Sequence, residues 1–167
     1  AEVGLRTQAV AGLQSSVALW GLRSASELVY IGDAGATEAS QGSRRRGIEL
    51  NNRWQPAAWF LLDADLAFNH ARFDDGSRIP NAIDRVASVA ATLRDLQGWT
   101  ASLQWRYLGS GALIEDNSQR AVPSSTFNLR VTRTLAPQAS LTLDVFNLFD
   151  RRVDDIQYFY ESRVADG

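Results

Sequence analysis

Hydrophobic and polar residues alternate along most of this chain with a period of two, the spacing of a strand that has one apolar face. The clearest case sets Phe60, Leu62, Ala64, Leu66 and Phe68 against Asp63, Asp65 and Asn69. Trp99, Ala101, Leu103, Trp105 and Tyr107 alternate just as cleanly with Thr100, Ser102, Gln104 and Arg106. The same division puts Val3, Leu5 and Thr7 opposite Glu2, Arg6 and Gln8, and Ile48, Leu50 and Trp54 opposite Glu49, Asn51 and Arg53. It recurs with Phe127, Leu129 and Val131 against Asn128 and Arg130, and with Leu141, Leu143 and Val145 against Thr142 and Asp144. Between Ser15 and Ile31 the apolar phase is read as Ala18, Trp20, Leu22, Leu28 and Tyr30, against Arg23 and Glu27; Gly21, Ser24 and Ser26 weigh against a helix there. From Arg85 to Leu93 both phases are small and apolar, with Val89, Ala91 and Leu93 taken as the outward one. The pattern predicts about eight strands, at roughly 2–10, 15–31, 47–55, 59–72, 84–94, 99–108, 125–135 and 140–149.

The connections sharpen the picture. Short turns are expected near Gly12, Pro56, Gln97 and Pro137, and long polar loops at Gly32 to Gly47, Asp74 to Asn81 and Gly109 to Pro123. Short and long connections in strict succession are the habit of outer-membrane barrels, with short periplasmic turns and long extracellular loops. Aromatic residues gather at the expected strand ends: Trp54, Trp59 and Trp99 beside short turns, and Tyr30, Phe68 and Tyr107 beside long loops. Two interfacial girdles would look like this. The polar faces carry both signs of charge along whole strands, in Glu49, Arg53, Asp63, Asp65, Arg106, Arg130 and Asp144. A soluble antiparallel sandwich also alternates. A soluble β-barrel or sandwich that binds a ligand, and a complete small eight-stranded outer-membrane barrel, therefore stand beside the larger barrel at this point.

Composition removes several functions. With 167 residues, 45% of them hydrophobic, the chain can support a sizeable core. Its net charge of −2 argues against nucleic-acid binding. All 17 basic residues are arginine, and cysteine does not occur. No apolar run approaches the roughly 18–20 residues of a membrane helix, which says nothing of membrane strands. His70 is the sole histidine, so no histidine cluster can hold a metal, and Asp74-Asp75-Gly76 is too short for an EF-hand loop. Asp63 with Asp65, or Glu115 with Asp116, could be offered as an acid/base pair, but such spacing is common and no catalytic reading is adopted. Neither enzymatic activity nor a cofactor is expected. Arg44, Arg45 and Arg46, read as part of a loop, could bind lipopolysaccharide phosphates or an anionic ferric chelate, or pair with neighbouring acids. Tyr158 and Tyr160 could line a substrate vestibule or form an aromatic rim.

The run "LDVFNLFDRRVDDIQYFYESR" (Leu143 to Arg163) closely resembles the segment before the last strand of TonB-dependent outer-membrane receptors. "SELVYIGDAG", "RRRGIEL", "WFLLDADLAFNHARF", "RIPNA" and "LIEDNS" resemble the same family in the same order. The resemblance implies an all-β, antiparallel transmembrane β-barrel, of which this chain would supply about eight of 22 strands around a lumen filled by a plug domain. It implies TonB-dependent uptake of a scarce nutrient, such as a ferric siderophore, in the outer membrane of a Gram-negative bacterium. The expected partners are outer-membrane lipid and lipopolysaccharide, the receptor's own N-terminal plug, the TonB complex through that plug, and a small-molecule ligand. Residues 1–167 are expected to be the C-terminal part of the barrel, with the plug and the final strand outside them. The lumen-lining candidates are Glu49, Asn51, Arg53, Asp63, Asp65, Gln104, Arg106, Asn128, Arg130 and Asp144. The extracellular-loop candidates are Arg44, Arg45, Arg46, Tyr158 and Tyr160.

Overall fold

The computed structural model describes residues 1–31, 36–154 and 156–159. Regular structure there is entirely β: β1 (Glu2–Thr7), β2 (Leu13–Ser24), β3 (Leu28–Ile31), β4 (Ala36–Ala39), β5 (Ser43–Ala57), β6 (Phe60–Phe73), β7 (Arg85–Leu96), β8 (Trp99–Leu108), β9 (Ser124–Ala136) and β10 (Ala139–Val145). Eight strands form one antiparallel sheet in the order β1-β2-β5-β6-β7-β8-β9-β10, and β3 pairs with β4 as a separate hairpin. The sheet is an open meander. Among the described residues β1 and β10 are its edges and do not pair with each other.

Tight turns close one end. At β1–β2, Gly12 has φ +73°, and a Cβ there would lie 2.3 Å from the Gln55 carbonyl oxygen, so only glycine fits. Gln97 and Gly98, with φ of 55° and 79°, both take the left-handed backbone that a two-residue hairpin needs. Pro56 lies within β5 rather than in a turn; the ladder shifts register between Trp54 and Ala57, and the chain reverses just after it. That shift frees a position with no ladder donor to give, which is where proline is tolerated.

Register decides which side chains share a face. Leu13, Trp54, Leu62, Ala91, Leu103, Leu129 and Val145 are successive cross-strand partners, an unbroken apolar row over seven strands. Val89, Ala91 and Leu93 fall on this apolar face, paired with Ala64, Leu62 and Phe60. In β2 the phase is the reverse of the sequence reading. Val17 and Leu19 face Leu50 and Ile48, whereas Ala18 and Trp20 face Glu49 and Gly47 on the polar side. The reason is local: both phases of β2 contain apolar residues, and Trp20 lies across Gly47, whose missing side chain leaves it room. The predicted single strand from 15 to 31 is also broken after Ser24, and Leu28–Ile31 joins the β3–β4 hairpin.

The small buried core is at the loop end, on the polar side of the sheet. Ala71, Phe73 and Ile79 form it, with Val29 and Ala82 packed against them. Backbone hydrogen bonds tie the long loops into one layer: Arg78 N–H donates to Glu115 O, Asn81 N–H to Ala112 O, and Asp74 N–H to Gly42 O. This satisfies loop groups that burial would otherwise leave unpaired.

Candidate functional site

The polar face is built by the alternate residues of the strands just described. One row runs Arg6, Ser16, Asn51, Asp65, Ser88, Arg106 and Thr126. The next runs Gln14, Arg53, Asp63, Ala90, Gln104 and Asn128. A third carries Ser102, Arg130 and Asp144. Nine of the ten lumen-lining candidates lie in these rows, and Glu49 lies in a further row with Ala18, Ala67 and Val86. Arg6, Gln14 and Ser16 join them; the alternation of β1 already puts Arg6 on a polar face, whereas β2, with apolar residues in both phases, singles out neither Gln14 nor Ser16.

Local pairing holds this surface together. Arg130 donates twice to Asp144, at 2.6 and 3.2 Å, in a two-pronged contact. Arg53 lies 3.9 Å from Asp63. Gln104 Nε2 donates to Ser88 Oγ at 3.1 Å, Asn128 Nδ2 to Gln104 Oε1 at 3.4 Å, and Thr92 Oγ1 to Ser102 Oγ at 2.9 Å. Over β1, β2, β5 and β6 the face opens into a trough of about 340 Å³ lined by Arg6, Gln14, Asn51, Arg53, Asp63 and Asp65, two positive and two negative charges among polar neighbours. Such a wall suits water or another polar protein surface. Asp63 and Asp65 each face a side chain across the strands but no histidine, and the described residues contain no cluster of three or more metal-ligating side chains. The trough offers neither a nucleophile–base pair nor a metal centre.

The loop layer holds a second cavity of about 230 Å³, lined in part by Asn81, Ile83, Val122, Asp154 and Tyr158. Tyr158 stacks obliquely on Tyr30 of β3, ring centroids 4.7 Å apart. Tyr30 therefore belongs to the loop layer rather than to an aromatic girdle. Gln157 secures the same segment, donating to Val122 O at 3.1 Å and accepting from Val122 N at 3.0 Å. Tyr160 and the segment 161–167 lie outside the described residues, as does the start of the first long loop at 32–35.

Arg44, Arg45 and Arg46 are not loop residues. They are consecutive positions of β5, paired with Arg23, Leu22 and Gly21 of β2 on one side and with Arg72, Ala71 and His70 of β6 on the other. The hairpins simply continue past the apolar band, because Glu27 and Asp74 supply partners there. Arg45 points to the polar side, where it donates to both carboxylate oxygens of Glu27 at 3.0 Å. Ser43, almost fully buried, also donates to Glu27. These donors, Arg45 first and Ser43 second, hold the Glu27 carboxyl below the ordinary glutamate value. In the loops Asp75 is lowered chiefly by the Ser77 hydroxyl and Asp116 by the Ser118 amide. Arg44 and Arg46 take the opposite side of the strand.

The turn after β10 is local. Asn147 and Asp150 adopt φ of 50° and 48°, the Arg151 amide donates to Asn147 Oδ1 at 3.0 Å, and Asn147 Nδ2 donates to Arg151 O at 2.7 Å. Asn147 N–H donates to Asn128 Oδ1, which anchors the turn to the polar face.

Comparison with known proteins places this geometry. A family model described as the TonB dependent receptor-like β-barrel matches residues 1–148. Among solved structures, the chain is similar to the ferric yersiniabactin uptake receptor from Yersinia pestis (TM-score 0.74, 18% identity, 90% of this chain and 24% of that one). It is similar also to the siderophore receptor PiuA from Acinetobacter baumannii (TM-score 0.73, 16% identity, 90% and 24%) and to the copper transporter OprC (TM-score 0.70, 21% identity, 90% and 25%). At these identities the likeness is one of fold, and the chain spans about a quarter of the length of these structures. No curated protein sequence matches it.

Proposed function

The chain belongs to the family of TonB-dependent receptor β-barrels, proteins of the Gram-negative outer membrane, and from that membership we propose that it is part of the barrel of a nutrient-uptake receptor. This is a family of transport receptors rather than enzymes. The observation that carries the reading is the uncovered apolar face. Leu103, Leu141 and Leu143 are 42%, 65% and 60% exposed, and the loop core lies on the other side. A soluble sandwich would cover that face with a second sheet; a bilayer covers it with acyl chains. From Phe60 to Phe68 the outward apolar run of β6 covers about 27 Å along the strand at ~3.4 Å per residue, or about 21 Å along the membrane normal at the usual ~40° tilt, close to the ~25 Å band of such barrels. Trp54, Trp59, Phe60 and Trp99 cluster at the tight-turn end, with Arg133 stacked 5.1 Å from the Trp99 ring.

The open edges of β1 and β10 support a barrel completed by strands beyond this sheet, since unpaired edge groups are not tolerated in hydrocarbon. The 22-stranded architecture, with these residues in its C-terminal part, meets that need. In this reading Glu49, Asn51, Arg53, Asp63, Asp65, Gln104, Arg106, Asn128, Arg130 and Asp144 line the lumen and face a plug domain, through which the TonB complex would act. Tyr158 lines the external vestibule. The solved relatives carry siderophore iron or copper by their descriptions, so a metal chelate is the substrate class to test first. The test is growth of a strain lacking the full-length gene, with and without complementation, under iron limitation with a panel of ferric siderophores and under copper limitation. Complementation that restores uptake of none, with the receptor present in the outer membrane, would overturn the transport reading.

A further inference from the structure

A chain of side-chain amides crosses the polar face from the end of β10 to β7. The Asn147 N–H donates to Asn128 Oδ1 at 3.0 Å. Asn128 Nδ2 donates to Gln104 Oε1 at 3.4 Å, and Gln104 Nε2 donates to Ser88 Oγ at 3.1 Å. Register explains the path. Gln104 and Asn128 are direct cross-strand partners. Ala90, opposite Gln104 on the other side, has no polar side chain to offer, so the amide reaches diagonally to Ser88. Ser88 itself stands between Asp65 and Arg106 in the charged row. The chain therefore links the turn after β10 to that row, three strand spacings or about 14 Å across the sheet.

A carboxamide donates at one end and accepts at the other, so a chain of them has a direction. Here the direction is imposed from the turn. A backbone N–H can only donate, so Asn128 must present its oxygen to Asn147 and its NH2 to Gln104. Gln104 must then accept from Asn128 and donate to Ser88, whose hydroxyl rotates to accept. The turn that supplies the N–H is well held: the Asn147 side chain both donates to and accepts from the Arg151 backbone, and the Leu148 N–H donates to Phe127 O at 2.7 Å. We propose that this ladder is a polarity relay, in which the turn at Asn147–Arg151 sets which hydrogen-bonding group Ser88 presents beside Asp65 and Arg106. In the forward direction Ser88 accepts from Gln104 and keeps its own hydrogen for a neighbour. In reverse Ser88 donates to Gln104, Gln104 donates to Asn128, and Asn128 Oδ1 is shared between two donors, which weakens its hold on the turn. Such coupling is reciprocal, so a donor or acceptor set against Ser88 biases the turn in its own right. The relay needs only the register of β7 to β10, and it stands whatever the receptor carries.

On an open polar face water replaces a lost partner, so overall stability barely registers these bonds, and exchange of the Asn147 amide is the readout. Residue-resolved hydrogen exchange is measured on the full-length receptor in phosphatidylcholine nanodiscs at neutral pH. S88D, which can only accept from Gln104, locks the forward direction, and S88K, which can only donate, forces the reverse. The Asn147 amide should exchange at least about fivefold faster in S88K than in S88D, roughly the effect of one hydrogen bond. A charge acting through space would give the same order. The pair is therefore repeated on Q104L, which cuts the ladder and leaves both charges in place; the ratio should fall below about twofold. N128D, still an acceptor, should protect the Asn147 amide as the parent does, whereas N128L should not. Heat-modifiable gel mobility establishes that each variant is folded. Where S88K does not fold, Q104K against Q104E repeats the sign test one strand nearer the turn, with N128L as the cut. Equal exchange in the donor and acceptor variants, a ratio that survives the cut, or loss of protection in N128D overturns the relay.

Discussion

Leu103 offers a direct measurement of what covers the apolar face. It sits midway along the outward run of β8, between Trp99 and Tyr107, and its neighbours across the sheet are Ala91 and Leu129. Within the chain itself it is 42% exposed. If water covered that exposure, Leu103→Arg would fall among surface substitutions, within about 0.5 kcal/mol of neutral. If acyl chains cover it near the bilayer midplane, the same change costs about 2–4 kcal/mol. The two cases differ by a factor of about 10 or more in the unfolding equilibrium. Gln104→Arg, one residue on and therefore on the polar face, is the matched control and should be nearly silent. The assay is reversible urea unfolding of the full-length receptor in phospholipid vesicles, followed by tryptophan fluorescence. A loss below about 1 kcal/mol for Leu103→Arg, or an equal loss for both variants, would refute a lipid-covered face.

Three further outcomes follow from single contacts. Ser15 and Asn52 pair on the apolar face, the serine hydroxyl donating to Asn52 Oδ1; S15A alone should cost about 0.6–2 kcal/mol because it strands the amide oxygen, while S15A/N52L should recover most of it in the same urea assay. Gly47→Ala would place a Cβ 2.6 Å from the Trp20 ring and 2.7 Å from the Phe68 carbonyl oxygen; a loss of about 1–3 kcal/mol and a lower heat-modification temperature are expected. Glu27 is held below its ordinary value, so its clamp on Arg45 and Ser43 contributes stability that is complete above the unfolded-state glutamate value and lost as pH falls through the lowered folded one. Hydrogen exchange at Ser40, whose amide donates to Glu27 O, should therefore quicken in acid below the usual glutamate range, beyond the intrinsic rate, and E27Q should abolish that pH dependence.

Period-two alternation was sufficient to place most strands, their tight turns and the class of fold. Side chains on a strand must alternate, so Asp63 and Asp65 share a face with each other and not with Leu62, whatever the strand pairs with. The ordered motifs that carried the family resemblance are likewise local, and the match over residues 1–148 agrees with them. The turn at Asn147 and Asp150 is local in the same way, closed by bonds within five residues.

Pairing between strands is where local information ends. In β2 both phases contain apolar residues, and only the register with β5 puts Trp20 over Gly47 on the polar side. The arginine run looked like a loop because three charges in succession have no alternation. Its placement came from partners distant in sequence: Arg45 turns to the polar side onto Glu27, while Arg23 and Arg72 line up with Arg44 on the apolar side of the sheet. The loop layer too was invisible, as Phe73 with Ile79 and Tyr30 with Tyr158 meet only once the sheet has brought their strand ends together. Sequence by itself determined which residues share a side of each strand, because that follows from the backbone's own geometry. Tertiary structure alone decided what each side faces, because a hydrogen-bonded register is a property of two strands, and one residue of slip would exchange the faces of an entire strand.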